Sequence, residues 1–372
     1  MNATLAVLAN ALLVVVVAVT ANATDLPAPA DLHDGLPVAE PASVGLDAAS
    51  LIGLKDAVAR GVYPKTTSVL VVRDGKLVYE AYFGDGSSDL LNDTRSATKS
   101  ITSLAVGAAI ADGAISSRRA RAFSYLGDLR PYQNDTPEKE SITIEDLLTM
   151  SSALDCNDDD DKSPGNEDNM HPQPDWSRWA VDLPTMQAYA RDSLGFGRWR
   201  YCTTGAFLLG QILQRAARMP VDQYVEKRLF QPLGITQWQW PYSPSGETMT
   251  GGGLRLRSRD LAKIAAMIVD GGRWRGKQIV PKAWIDSALS VHRKAYSDAN
   301  YGYLFWQRDY ATPCGRRSGW YMAGNGGNSV VLLRDLRTAI VVTRTNYNAR
   351  DMHQQTADLL ERYVLPALLC NG

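Results

Sequence analysis

The sequence predicts an α+β fold, in which one antiparallel β-sheet is flanked by helices and a helical domain is inserted into the chain that forms the sheet. Strand patterns occur near both ends of the chain, within residues 68–83 and 329–343. Consecutive helical patterns fill the middle of the chain, and helical patterns also lie beside both groups of strands. Helices that follow one another between two groups of strands are typical of α+β folds with separate layers.

The first predicted elements are a helix and a hairpin. Asp47 precedes apolar residues at helical spacing, and Gly61 is a suitable end for that helix. Residues 69–72 and 77–81 are rich in β-branched and aromatic side chains. Asp74-Gly75 lies between them and is a strong signal for a tight turn. We therefore expect two antiparallel strands joined at this dipeptide.

Helical periodicity dominates the middle of the chain. Helices are predicted at residues 100–111, 144–150, 185–190, 205–217, 221–230 and 259–269. Ser258 is expected to cap the last of them, and Gly271-Gly272 to end it. Residues 329–333 and 338–343 then predict a second strand pair, and residues 352–369 a terminal helix.

The N-terminal segment has the features of an export signal. From Ala3 to Val19 the polar residues are Thr4 and Asn10, and no charged side chain precedes Asp25. The small-x-small triplet at residues 21–23 is typical of a cleavage site. We expect a signal peptide at residues 1–23 and export to the periplasm or the medium, with no stable membrane span after processing. An uncleaved membrane anchor is the alternative, although the apolar run is short for one.

The remaining chain divides into a linker and two domains. Residues 24–41 are rich in proline and are expected to be a linker. Residues 42–98 and 251–372 are expected to form the α/β sheet domain, and residues 99–250 the mainly helical domain.

The composition excludes several classes of protein. The 372 residues contain 39 Lys and Arg against 40 Asp and Glu, a net charge of −1. Because nucleic-acid binders carry a basic excess, this balance argues against a nucleic-acid partner. Apolar residues make up 45% and charged residues 21% of the chain, which is ordinary for a globular protein and excludes general disorder. The sequence leaves the oligomeric state open.

Four cysteines allow two disulfides in an exported protein. We expect Cys156 to pair with Cys202 and Cys314 with Cys370, although three pairings are possible and four buried thiols remain an alternative. Residues 155–161 are strongly acidic but lack the central glycine of a calcium loop, so a solvated acidic loop is expected there.

The residues that point to chemistry are Ser96 and Lys99, an S-x-x-K motif directly before an apolar helical run. Side chains three apart on a first helical turn share one face. Serine needs a neighbouring base to act as a nucleophile, and desolvation favours the neutral form of an amine. We therefore expect Lys99 to activate Ser96, although exposed Ser and Lys pairs also occur on ordinary helices. No metal ion and no organic cofactor is implied.

From about residue 46 to residue 367, the chain resembles the serine hydrolases related to class C β-lactamases and D-Ala-D-Ala carboxypeptidases, including esterase and 6-aminohexanoate-dimer-hydrolase members. The segments that carry the resemblance are residues 142–152, 208–212, 232–235 and 251–254. They follow one another in the order and approximate spacing of that family. The resemblance implies the β-lactamase/transpeptidase-like fold, which agrees with the α+β prediction above.

The resemblance assigns two further motifs. The family's Tyr-x-Asn motif matches residues 201–203, so Tyr201 is expected to transfer protons with Lys99, and Thr203 stands where Asn helps to hold a substrate amide. The family's Lys-Thr-Gly motif matches Asn325, Gly326 and Gly327. The backbone N–H groups of Ser96 and Asn328 would then form the oxyanion hole.

The function expected from these residues is hydrolysis of a small ester or amide through a Ser96 acyl-enzyme. Asn325 lacks the positive charge that binds the carboxylate of β-lactams and peptide C termini, which favours an esterase or amidase. A β-lactamase or D-Ala-D-Ala carboxypeptidase is the first alternative, and a non-catalytic penicillin-binding-like scaffold is the second. Aromatic residues beside the motifs are expected to shape the pocket or to be ordinary core: Trp176, Trp179, Trp306, Trp320 and Tyr321.

Overall fold

A computed structural model describes residues 26–369 of the chain. The expected signal peptide lies outside these residues, as do the first two residues of the expected linker. No helix among the described residues has the length and apolar character needed to cross a bilayer.

The described strands form one large antiparallel sheet of eight strands, in the order β2-β1-β12-β11-β10-β9-β8-β7, and two small sheets, β3-β4 and β5-β6. Both ends of the chain contribute to the large sheet, which confirms the predicted fold class. The strands are β1 Thr66–Arg73, β2 Lys76–Tyr82, β3 Asn92–Asp93, β4 Arg255–Leu256, β5 Arg273–Trp274, β6 Lys277–Gln278, β7 Arg293–Tyr296, β8 Ala299–Tyr301, β9 Trp306–Thr312, β10 Gly315–Gly324, β11 Asn328–Leu333 and β12 Thr338–Arg344.

Helices cover both faces of the sheet and fill the middle of the chain. The α-helices are α1 Ala48–Ala59, α2 Thr98–Ala111, α3 Pro137–Glu140, α4 Ile144–Leu148, α5 Glu167–Met170, α6 Trp176–Asp182, α7 Thr203–Ala217, α8 Val221–Val225, α9 Ser258–Val269, α10 Lys282–Ala288 and α11 Met352–Leu359. Short 3-10 helices span Pro41–Val44, Arg95–Ala97, Ala122–Leu129, Gln231–Leu233, Arg334–Leu336 and Leu365–Ala367. Single π-helical turns at Glu226–Phe230 and Leu360–Val364 continue α8 and α11.

The predicted hairpin and first helix are confirmed in detail. Asp74 and Gly75 both have positive φ values, 52° and 73°, as the tightest hairpin turns require. The Asp47 side chain accepts a hydrogen bond from the N–H of Ala49 and caps α1.

Side chains alternate between two hydrophobic cores along β1. Val69 and Val71 pack with α1 and the C-terminal helices, whereas Leu70 and Val72 pack in the core that contains α2 and α9. Because both faces of β1 are buried, its sequence contains a continuous run of apolar residues rather than alternating apolar and polar ones. The central sheet is therefore a rigid support for α2, which carries the candidate site at its N terminus.

Two local predictions are wrong. Residues 185–190 form no helix: Thr185 pairs with Leu154 in an isolated bridge, and turns follow. Ser258 is the first residue of α9 rather than its cap, and its hydroxyl is hydrogen-bonded to that of Ser68 at 2.7 Å. In both places tertiary contacts override a weak local signal.

The predicted Cys156–Cys202 disulfide is present. Cys370 lies outside the described residues, so its pairing with Cys314 stays a prediction. The division into a sheet domain and a helical domain at residues 98–99 and 250–251 also stays a prediction.

Candidate active site

Ser96 lies on the short 3-10 helix Arg95–Ala97, immediately before α2. The preceding Arg95 has φ 49°, a left-handed conformation that is unfavourable for a side chain other than glycine. Two contacts hold it there: the Arg95 N–H donates to Asp93 Oδ1 at 3.0 Å, and the Arg95 carbonyl accepts from the Gly253 N–H at 3.2 Å. This sharp turn leaves Ser96 half-buried at the edge of two cavities.

Lys99 follows one helical turn later and is only 1% exposed. Its Nζ donates to Ser96 Oγ at 2.9 Å and to the carbonyl oxygen of Gly251 at 2.6 Å. The structure therefore brings the two residues of the S-x-x-K motif together. The motif gave no indication of the Gly251 carbonyl, because a backbone acceptor 152 residues away has no signature in the sequence.

The segment that carries Gly251 passes beside the turn of Ser96 and is joined to it by several hydrogen bonds. The Thr94 N–H donates to the Leu254 carbonyl at 3.0 Å, and the Leu254 N–H donates to Thr98 Oγ1 at 3.0 Å. A Cβ on Gly251 would lie 2.6 Å from Thr203 Cγ2, so only glycine permits this close approach. Lys99 is therefore enclosed between α2 and the start of α7.

Tyr201 lies just before α7 and places its ring beside Lys99. The Lys99 Nζ is 5.0 Å from the centre of the Tyr201 ring, which is stacked at 5.8 Å on Trp306. The Tyr201 hydroxyl makes no hydrogen bond with Lys99, with Ser96 or with any other described residue. Catalytic hydrogen bonds are often incomplete before substrate binds, so this hydroxyl is available to a ligand.

Thr203, the first residue of α7, is completely buried and lines neither cavity beside Ser96. Its N–H donates to Asp158 Oδ2 at 2.6 Å, while its hydroxyl has no hydrogen-bond partner among the described residues. The structure therefore does not bring Thr203 to the place where a substrate amide would be held.

The acidic loop is only partly solvated, which corrects the sequence prediction. Asp159 and Asp160 are exposed, but the Asp158 carboxylate points inward and accepts from the N–H groups of Thr203 and Glu167. Burial raises the pKa of Asp158, and the nearby Glu167 carboxylate raises it further. The nearby Lys99 side chain lowers this pKa but does not cancel the rise. Because a run of aspartates gives no sign of which one turns inward, the sequence did not single out Asp158.

The end of β10 and the turn after it form another wall of the site. A Cβ on Gly324 would lie 2.1 Å from the carbonyl oxygen of Thr94, so glycine allows β10 to approach the turn of Ser96. Asn325 lines both cavities beside Ser96, and its side-chain amide is paired with Asn348 through hydrogen bonds of 2.7 and 2.8 Å.

The three residues that follow Asn325 are buried and line neither cavity. Gly326 and Gly327 are buried and adopt positive φ values of 92° and 87°, as the tight turn requires. Asn328 is 4% exposed, lines neither cavity, and its side chain donates to the carbonyl oxygens of Asp93 and Asn325. The expected role of its backbone N–H in the oxyanion hole stays a prediction.

Two cavities meet at Ser96. The first, of about 620 Å³, is called the aromatic cavity here, since its walls include Tyr201, Tyr296, Trp306, Tyr310 and Tyr321. The second, of about 580 Å³, is called the tryptophan cavity because Trp176 and Trp240 line it. Of the five aromatic residues considered from the sequence, Trp176, Trp306 and Tyr321 line a cavity, whereas Trp320 and Trp179 line neither.

The aromatic cavity is rich in negative charge. Its walls include four carboxylates, which belong to Asp158, Asp159, Glu167 and Asp298, together with one guanidinium, that of Arg308. Within residues 26–369, no three His, Cys, Asp or Glu side chains are grouped so that they could hold a metal ion.

Comparison with known proteins supports this architecture. A family model described as Beta-lactamase matches residues 54–363. The 6-aminohexanoate-dimer hydrolase of Paenarthrobacter ureafaciens is 25% identical over 272 residues. That match covers 71% of this chain and 66% of the curated relative, so the chain spans slightly less than two thirds of that relative's length.

Solved structures show the same fold at lower sequence identity. EstCE1, described as a hydrolase with promiscuous acyltransferase activity, has a TM-score of 0.65 and 15% identity, and the match covers 86% of this chain and 99% of that one. A D-stereospecific amidohydrolase from Streptomyces sp. has a TM-score of 0.62 and 17% identity, with 85% and 98% covered. Since the family model covers most of the chain, the protein belongs to the β-lactamase family of hydrolases.

Proposed function

We propose that the protein hydrolyses small esters or amides through an acyl-enzyme formed on Ser96. The observation that carries this proposal is the distance of 2.9 Å between Lys99 Nζ and Ser96 Oγ, at the point where two cavities meet. A buried amine within hydrogen-bond distance of a hydroxyl that faces a cavity is the arrangement that an activated serine requires.

In the acylation step, Ser96 Oγ attacks the substrate carbonyl carbon while its proton passes to Lys99 Nζ, which acts as the base. The carbonyl π electrons move to oxygen and give a tetrahedral oxyanion. When the oxyanion collapses, the bond to the leaving alcohol or amine breaks, and the leaving group takes the proton that Lys99 received, passed on through the Tyr201 hydroxyl. Water then attacks the acyl-enzyme by the reverse sequence of proton transfers and releases the acid.

We assign the oxyanion hole to the backbone N–H groups of Ser96 and Asn325. Both residues line the same two cavities, whereas Asn328 lines neither. Two donors aimed at the developing charge are typically worth several kcal/mol of the activation barrier. This assignment keeps the motif predicted from the sequence and moves the donor three residues towards the N terminus.

The charge of the aromatic cavity supports a neutral or cationic substrate rather than a β-lactam. A substrate carboxylate there would face four carboxylates and one guanidinium. Asn325 is neutral, and its amide is engaged by Asn348, so it offers no cationic partner. Each like-charge pair at about 6 Å opposes binding by roughly 0.7 kcal/mol in water and more near protein.

The names of the similar proteins agree with this chemistry. One relative is a 6-aminohexanoate-dimer hydrolase and one structural neighbour is an amidohydrolase, and both names describe cleavage of an amide. The family name does not by itself assign β-lactamase activity, because one fold supports several chemistries that differ in the residues around the site.

Export to an oxidising compartment belongs to the same proposal. The Cys156–Cys202 disulfide is expected in a protein that leaves the reducing cytoplasm. Together with the apolar N-terminal segment, it supports a periplasmic or secreted enzyme.

A fluorophosphonate probe tests the proposed function. We expect one adduct per chain by intact mass spectrometry and complete loss of labelling in Ser96→Ala. Ser103→Ala is a matched control, because this buried hydroxyl on the same helix has no hydrogen-bond partner among the described residues. Folded wild-type protein that remains unlabelled would support the non-catalytic scaffold. Efficient turnover of nitrocefin with poor turnover of p-nitrophenyl esters would support a β-lactamase.

A further inference from the structure

Residues 155–167 form a loop that packs directly against the segment carrying Tyr201, and it is called the acidic strap here. The Asp158 N–H donates to the carbonyl oxygen of Tyr201 at 2.7 Å. The disulfide joins Cys156 of the strap to Cys202, the next residue after Tyr201. The acidic strap therefore contacts the backbone on both sides of the Tyr201 side chain.

Asp158 makes the third of these contacts with its carboxylate. Oδ2 accepts from the N–H of Thr203 at 2.6 Å, and Oδ1 accepts from the N–H of Glu167 at 2.9 Å. Thr203 begins α7, a helix of 15 residues whose free N–H groups and dipole favour a negative charge at this end. Asp158 is thus hydrogen-bonded to Tyr201 and to Thr203, the residues on either side of Cys202. It is also hydrogen-bonded to Glu167 at the other end of the acidic strap.

We propose that Asp158 and the Cys156–Cys202 disulfide position Tyr201 for proton transfer at Ser96. This inference rests on the proposed function, since it assigns to the strap a role in the reaction of that site. Asp158 is a positioning residue and needs no contact with substrate.

Tyr201 depends on its backbone for its position because its side chain makes few contacts. Its hydroxyl has no hydrogen-bond partner among residues 26–369, and its ring contacts Trp306 by stacking and Lys99 through the amino group. Stacking permits sliding of the ring, so the direction of the phenol depends on the backbone from which it projects. A shift of about 1 Å in a reacting group can lower a rate by about 100-fold.

Asp158→Asn tests the proposal with little change in volume. Asparagine keeps one acceptor oxygen but turns an NH₂ group towards the second N–H donor, so one of the two hydrogen bonds is lost. We expect kcat for a p-nitrophenyl ester to fall by about 10- to 100-fold, while KM changes less than threefold. Asp160→Asn is the control, because it removes the same charge from the same strap at an exposed residue that does not contact residues 201–203.

A double-mutant cycle separates positioning from a general structural effect. If Asp158 acts through Tyr201, Asp158→Asn lowers kcat for an alkyl ester, whose leaving alcohol must take a proton, in the wild-type protein but by less than twofold in a Tyr201→Phe background. An equal loss in both backgrounds, or no loss in either, would overturn the proposal.

A second variant covers the case in which Asp158→Asn does not fold. Cys156→Ser combined with Cys202→Ser removes the covalent link, and serine at residue 202 can still accept from the Gly205 N–H, as the cysteine sulfur does. The same loss of kcat and the same dependence on Tyr201 are expected, and unchanged kcat would count against a role for the disulfide.

Ser96→Ala, measured in the same series, distinguishes the two proposals. Persistent activity in Ser96→Ala would reject the proposed function and the positioning role with it. An inactive Ser96→Ala with independent effects of Asp158 and Tyr201 would reject the positioning role alone.

Discussion

Replacing Lys99 by methionine should lower activity strongly without destabilising the protein. Methionine fills a similar volume but can neither accept the Ser96 proton nor donate to the Gly251 carbonyl. Loss of a general base lowers rates by about 10²- to 10⁴-fold, which corresponds to about 2.7–5.4 kcal/mol at 1.36 kcal/mol per tenfold change. We expect kcat/KM for a p-nitrophenyl ester to fall within that range.

The effect of Lys99→Met on stability has two opposing parts. Leaving the buried Gly251 carbonyl without its donor lowers the free energy of unfolding by about 1–3 kcal/mol. Removing an amino group that is 1% exposed relieves the cost of burying a polar group, which is also about 1–3 kcal/mol. The melting temperature should therefore stay unchanged or rise, since a group held for catalysis is not optimal for stability.

Lys139→Met is the matched control for this experiment. Lys139 is fully buried, and its Nζ donates to the carbonyl oxygen of Val181 at 2.7 Å, but it lies outside the candidate site. It is also a desolvated amine, since burial lowers the pKa of Lys139 to about 8. Lys139→Met should leave kcat/KM unchanged. Activity of Lys99→Met within tenfold of wild type, with a normal melting temperature, would refute the assignment of Lys99 as the base.

Three further predictions follow from the charge of the site, its close contacts and a buried histidine. Esters with a trimethylammonium group should have kcat/KM values at least tenfold above those of matched esters with a carboxylate, and Asp298→Asn should lower this ratio. A preference for the anionic ester would contradict binding of the substrate in the aromatic cavity. Gly324→Val should lower kcat by at least 100-fold in folded protein, because a Cβ would lie 2.1 Å from the Thr94 carbonyl oxygen. Near-normal turnover would show that β10 need not approach Ser96 so closely. Burial lowers the pKa of His292 below its usual 6.5, so the unfolded chain binds the proton more readily and stability is lost as the pH falls through 6.5. The fall in melting temperature between pH 7.5 and pH 5.5 should be smaller in His292→Gln, and an equal fall would show that this histidine does not contribute.

Local signals in the sequence predicted the elements that depend on local chemistry. The Asp74-Gly75 turn and the Asp47 cap were predicted because the backbone conformation there follows from the residue types themselves. The pair Ser96 and Lys99 was also predictable, since a spacing of three on a helix places both side chains on one face. The resemblance to a known family added Tyr201, which no local pattern would have selected.

The features that the sequence missed depend on contacts between distant segments. The Gly251 carbonyl and the inward turn of Asp158 arise where α2, the start of α7 and the acidic strap meet, and neither has a pattern of its own. Asn328 was expected at the oxyanion hole from the family resemblance, and this stays a prediction. Asn325 lines both cavities and Asn328 lines neither, which nothing in the sequence allowed us to expect.

The acyl-enzyme on Ser96 can be identified directly. Wild-type protein is mixed with an ester of a slowly hydrolysed acid, quenched in acid within seconds, and digested for peptide mass spectrometry. We expect Ser96 to gain the mass of the acyl group less one hydrogen, and we expect no such gain in Ser96→Ala. Ester turnover with no adduct on any residue, or an adduct on a different side chain, would contradict this expectation.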